Sequence, residues 1–114
     1  MKPSLFTKII NREIPAKIIF ENEKVLAFED INPQAPHHCL IVPKIEVATI
    51  NDLTPETVTY VAEMFLAAKE IAKLKGVEES GYRVVMNCNA DGGQSVYHIH
   101  LHFLAGRAMH WPPG

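Results

Sequence analysis

The run "SVYHIHLHFL" at residues 95–104 constrains the fold more than any other part of the chain. His98, His100 and His102 alternate strictly with Ile99, Leu101 and Phe103. Side chains alternate faces along a strand, so period-two patterning predicts a β-strand with one buried face. The three imidazoles then share the other face, with neighbouring Cβ atoms roughly 6.5–7 Å apart in a row about 13 Å long. A strand with such an apolar face requires a sheet and a core to receive it.

The remaining patterning supplies both. Leu5, Phe6, Ile9 and Ile10 suit a short amphipathic helix capped by Ser4 and ended by Pro15. "KIIFEN" and "EKVLAFED" read as two strands turning at Asn22–Glu23. The prolines of "INPQAPHH" make a stiff loop before the apolar strand "CLIVP". Thr54 as cap, Pro55 and Glu56 in the first turn, and Gly76 at the end predict a long helix over 54–75. Its expected apolar stripe is Val58, Val61, Met64, Phe65, Ala68, Ile71 and Ala72. "YRVVMNC" is a strand joined to the histidine strand by "NADGG", whose Asp91-Gly92 pair favours a tight reversal. The sum is an α+β chain: a mainly antiparallel sheet of about five strands, one long helix and a short N-terminal helix.

At 114 residues, with no repeat or linker, residues 1–114 are expected to form one domain. A net charge of −2 argues against a nucleic-acid binder and against an electrostatically held membrane protein. No stretch approaches a membrane span, and "MKPSLFTKIINREIPAK" lacks an apolar run of signal-peptide length. Cys39 and Cys88 are therefore read as reduced thiols and the protein as cytoplasmic.

Three readings of the histidine row compete. A wet strand face is the plain one. A metal site is the second, since imidazole is a good zinc ligand. However, three histidines on one straight strand do not converge easily on one ion, and His38 or His110 would have to be recruited by the fold. Catalysis is the third, because imidazole is a competent nucleophile near neutral pH. "DGGQS" offers anion donors beside it: backbone N–H groups at Gly92 and Gly93, the Gln94 amide and the Ser95 hydroxyl. The residues thus suggest an anion-handling site with a histidine nucleophile, without identifying the substrate.

"HIHLHF" also fits the histidine triad pattern of alternating histidine and apolar residues. Together with "EIPAKIIFE", "DINPQAPHHCLIVPK", "GYRVVMN", "DGGQSVYHIHLHFLAGR" and "WPPG", it resembles the HINT branch of the histidine triad (HIT) proteins from about Leu5 to Gly114. The resemblance implies a HIT-like fold paired into a homodimer. It also implies a purine nucleoside phosphoramidase that needs no metal and no other cofactor. It places the nucleophile at His100, which would form a covalent nucleotidyl-histidine that water then opens. His98 would orient His100, and His102 and His38 would complete the polar cluster around the phosphate. Ser95 would bond the phosphate or the leaving amine, with Gly93 and Gln94 beside it. Asn87 would contact the phosphate or ribose side, and Asp30, with Ile31 next to it, the ribose hydroxyls. Leu5, Phe6, Ile9, Phe28 and Leu40 would form the base slot, and Trp111 would lie near the partner subunit's site.

Two departures from the branch pattern bear on the site. Residues 87–89 read "NCN" where an acidic residue and a glycine commonly follow the asparagine, and Ala105 replaces a common glycine. The alternatives are a dinucleoside polyphosphate hydrolase of the same superfamily, or a zinc-binding or scaffolding dimer.

Overall fold

A computed structural model describes residues 2–114. Its sheet has five strands: β1 (Ile18–Glu21), β2 (Val25–Glu29), β3 (His37–Pro43), β4 (Tyr82–Val85) and β5 (Leu101–Ala105). The order is β1-β2-β3-β5-β4, and every neighbouring pair is antiparallel. Helix α1 (Leu5–Ile10) and the long helix α2 (Val58–Lys75) accompany it. The α+β architecture read from the sequence is the one observed.

Alternation in β2 and β3 sorts the core into two layers. Val25, Ala27, Cys39 and Ile41 pack with Met64, Ala67, Ala68 and Ile71 of α2. Leu26, Phe28, Leu40 and Val42 turn the other way and pack with Phe6 and Ile9 of α1. Leu101 and Phe103 join the α2 layer. His102, the residue between them, pairs with Leu40 and lies on the α1 side. A helix too short to be stable alone is held by this burial and by its cap, where Ser4 Oγ accepts from Thr7 N at 3.0 Å. The β1–β2 turn is held by Asn22, whose Oδ1 accepts from Lys24 N and Val25 N.

Several boundaries differ from expectation. The long helix begins at Val58 rather than Thr54, because Thr54 and Thr57 exchange side-chain-to-backbone bonds of 2.9 and 3.1 Å before it. Val58 and Phe65, expected on the buried stripe, are 46% and 50% exposed, while Ala67 is buried. Phe65 lies about 100° round the helix from buried Met64, off one edge of the stripe, and Ala67 borders the stripe on its other side. "NADGG" is not a two-residue reversal but a turn of helix, α3 (Asn89–Gly92), closed by Gly93 at φ 84°. β4 stops at Val85, and β5 starts only at Leu101, so His98 and His100 precede the regular strand. The alternation survives there all the same. His98 and His100 lie against Phe6, while Ile99 packs into the α2 layer. Among the described residues no helix is long and apolar enough to cross a membrane.

Candidate active site

Packing of α1 against the sheet leaves a cleft of about 370 Å³ beside the histidines. Phe6, Ile9, Phe28 and Leu40 form its apolar floor, with Leu5 at the mouth. Asp30, Ile31, Ser95, His100 and His102 complete the wall. These ten expected site residues are thus brought together. Ile14, Ala16 and Val96 also line the cleft; they carry no chemistry of their own, and only the fold brings them there. Ile31 is fully exposed at the rim. Asn87 and Gly93 lie outside the cleft lining, and Trp111, 82% exposed, lies at the surface.

Donor accounting assigns the ring protons. His100 Nδ1 lies 2.9 Å from the His98 carbonyl oxygen, which can only accept, so Nδ1 carries the proton and Nε2 keeps its lone pair. His98 Nε2 donates to the Pro43 carbonyl at 3.0 Å, leaving its Nδ1 as an acceptor. The backbone N–H of Gln34 donates to His38 Nδ1 at 2.9 Å, so the His38 proton sits on Nε2 and points to His102 Nδ1, 3.0 Å away. His102 Nδ1 therefore accepts, and its Nε2–H remains as a donor. A lone pair and an N–H donor thus sit on neighbouring rings whose centroids are 5.0 Å apart.

Burial favours these neutral forms. Desolvation is the main cause that lowers the pKa of His38, His98 and His100. At His102, burial and then the neighbouring His100 and His38 push the pKa down to about 4, against a smaller opposing effect of Asp30. Asp30 holds its loop by accepting from Asn32 N at 2.8 Å, and its other oxygen lies 3.4 Å from His38 Nε2.

Asp30, His38 and His102 bring one ligand atom each within 4.8 Å of one another. The grouping does not fit an ion as it stands. His38 presents an N–H where a metal needs a lone pair. Freeing that lone pair would require breaking the bond from Gln34.

The loop before the histidines corrects one expectation. The Gln94 amide, expected as an anion donor, is spent inside the loop: its Oε1 accepts from Asn89 N, and its Nε2 donates to the carbonyls of Ala48 and Val96. Gln94 is a clamp that presents Ser95, which is exposed and lines the cleft. The Gly93 N–H is likewise spent on the Ala90 carbonyl. Asn89 resolves the "NCN" departure. It adopts φ 60°, the left-handed region that asparagine tolerates better than most residues, at the position where the branch has glycine. Ala105 is fully buried within β5, where it pairs with His37 and Tyr82. The support under His98, namely Ser4, Thr7 and Glu46, was not foreseen, because residues so far from the triad in sequence carry no local signal of it.

An α+β sheet with this triad defines a class, and the comparison with known families agrees: the HIT domain model matches residues 11–109, so the chain belongs to the HIT family. More particular likenesses follow. The chain is 48% identical over 106 residues to the purine nucleoside phosphoramidase of Escherichia coli K12, covering 93% of this chain and 89% of that protein. It is 49% identical over 114 residues to a 14 kDa zinc-binding protein of Zea mays, covering 98% and 88%. A HIT family hydrolase from Legionella pneumophila Philadelphia 1 superposes with a TM-score of 0.95 at 53% identity, covering 98% of this chain and all of that one.

Proposed function

We propose that the chain is a hydrolase of purine nucleoside 5′-phosphoramidates of the adenosine type, with His100 as nucleophile. One observation carries this reading: the His100 Nε2 lone pair is fixed by the Nδ1–H bond to the His98 carbonyl and stands beside the Nε2–H donor of His102. The lone pair attacks the α-phosphorus, the phosphorus–nitrogen bond to the amine breaks, and the departing nitrogen takes a proton from solvent at the exposed Ser95 side of the cleft. Water then attacks the nucleotidyl-histidine and releases the nucleoside monophosphate. His102 donates to a phosphate oxygen while the charge develops, and His38 holds His102 in the required tautomer. Ser95 bonds the phosphate or the departing nitrogen. Asp30 takes the ribose hydroxyls at the rim beside Ile31, with Asn87 on the phosphate side, while the Gly93 and Gln94 N–H groups stay committed to the Ala90 and Asn89 carbonyls. The apolar floor accepts the base. This likeness in activity rests on the Escherichia coli relative.

The whole chain acts as one HIT domain in a cytoplasmic homodimer, with Trp111 reaching toward the partner. Exposed Val58, Phe65 and Leu66 on α2, and Tyr82 on the free edge strand β4, support a covered surface. The zinc-binding relative suggests a second reading, which the proton on His38 Nε2 disfavours.

The test is release of amine from adenosine 5′-phosphoramidate, with and without chelator. Turnover should survive the chelator and fall by about three orders of magnitude or more in His100→Ala, the scale of losing a nucleophile. Full activity in that variant, or loss of wild-type turnover with chelator, rules the mechanism out. Faster turnover of a diadenosine polyphosphate would favour the related hydrolase instead.

A further inference from the structure

We propose that Ser4, Thr7 and Glu46 form a positioning relay that sets the tautomer of His98 and, through the His98 backbone, holds His100 in place. The proposal rests on the reading of His100 as the nucleophile, and its test has a readout that does not depend on turnover. Ser4 Oγ lies 2.6 Å from His98 Nδ1. Because His98 Nε2–H is committed to the Pro43 carbonyl, Nδ1 must accept, and the single hydroxyl proton of Ser4 is the donor. The same Ser4 oxygen accepts from Thr7 N at 3.0 Å, which occupies one of its two lone pairs. Thr7 Oγ1 donates in turn to Glu46 at 2.8 Å, and the backbone N–H of Ser4 also donates to that carboxylate.

The exposed Glu46 carboxylate thus ties the Thr7 hydroxyl to the Ser4 backbone. The Ser4 hydroxyl, 3.2 Å from Thr7 Oγ1 but only 2.6 Å from His98 Nδ1, gives its proton to the wholly buried ring. Pro43 at the end of β3 grips one nitrogen of His98, and α1 grips the other. The ring has no freedom to flip, and Phe6 of the same helix closes edge-on against both His98 and His100. The His98 carbonyl is the partner of His100 Nδ1–H, so displacing His98 displaces the attacking nitrogen. A plain helix-capping role for Ser4 would explain the Thr7 bond but not a hydroxyl proton aimed at an imidazole.

Capping and positioning separate in three variants. Ser4→Thr keeps both the cap and the proton, and should retain wild-type kcat. Ser4→Ala loses both. Ser4→Asp keeps an acceptor for Thr7 N but offers His98 no proton, so Nδ1 must itself be protonated to face it. With ring-labelled histidine, NMR should show His98 as the Nε2–H tautomer in the wild type and in Ser4→Thr, and doubly protonated in Ser4→Asp. In the Asp variant kcat should fall roughly tenfold or more while KM stays within about twofold, the scale for partners that fix a functional histidine. Unchanged His98 ring nitrogens in Ser4→Asp, or wild-type kcat there, would overturn the relay. If the wild type does not turn over phosphoramidates, the NMR comparison still decides for or against the relay, while the functional reading fails separately.

Discussion

Each histidine of the cluster is held neutral, His38, His98 and His100 buried and His102 half-buried, and that has a sign. His102 titrates near 4 in the folded chain, because burial and the two neighbouring imidazoles oppose its charging, against an ordinary value of 6.5. A depressed folded value means that the unfolded chain binds more protons between the two. Its contribution to stability is therefore complete above about pH 6.5 and is lost as pH falls toward 4. The loss across that window should be on the order of 3 kcal/mol for this residue, measurable by urea unfolding at stepped pH. His100→Gln should flatten the slope clearly, since it removes both the lowered titration of His100 itself and the neighbour that helps to hold His102 down. A chain whose stability is flat over that window would not bury neutral imidazoles. At the same scale, Cys39 is buried and its thiol pKa is pushed up to about 12, by burial first and then by the nearby Glu29 carboxylate. A thiol reagent at pH 8 should leave Cys39 unmodified in the folded state and label it only on unfolding, as peptide mapping would show. Rapid labelling in the native protein would contradict that burial. The triad residues themselves were legible in the sequence, since alternation alone placed three imidazoles on one side. Their tautomers were not, because each depends on a backbone group supplied from elsewhere in the chain.

Among the elements, the loop between β2 and β3 carries Asp30 and is fastened by the turn after β5. Arg107 donates from Nε and Nη2 to the Gln34 carbonyl, at 3.2 and 3.0 Å. Gly106 before it adopts φ 97°, and a Cβ there would meet Pro36 Cβ at 2.8 Å. Gly106→Ala should therefore cost roughly 1–3 kcal/mol, seen as a lower thermal midpoint, through both the left-handed backbone and the clash. It should also loosen the Gln34 bond to His38, and so weaken turnover more than the stability loss alone explains. A variant as stable as the wild type would show that Pro36 yields freely. The helices illustrate how far local signals reach. Ser4 as cap of α1 and Gly76 as the end of α2 were both readable and both correct. The start of α2 was not, because the reciprocal Thr54–Thr57 bonds compete with the first helical turn. Phe65 shows the same limit in packing, as periodicity names a face without saying which of two adjacent positions the sheet will admit.

For the molecule as a whole, α2 covers β1 to β3, and β4 stands at the sheet margin with Tyr82 stacked on Phe103 at 4.9 Å. Together with Phe65 and Leu66 this leaves apolar surface at the margin and along the helix. Light scattering should give twice the chain mass, and Phe65→Lys should shift it toward the monomer; a wild-type monomer at micromolar concentration would rule the homodimer out. The apolar cleft residues were named only by the resemblance to the HINT branch, whereas the sequence by itself determined the α+β class, the sheet of about five strands and the row of three histidines. These follow from periodicity, caps and turn residues, which are properties of neighbours along the chain. Only the tertiary structure decided which ring nitrogen carries each proton, that Gln94 is a clamp rather than a donor, and that Ser4 and Glu46 stand behind His98. Hydrogen-bond partners are chosen by proximity in space. The contact between Ser4 and His98 spans 94 positions of chain, across which no local pattern can speak.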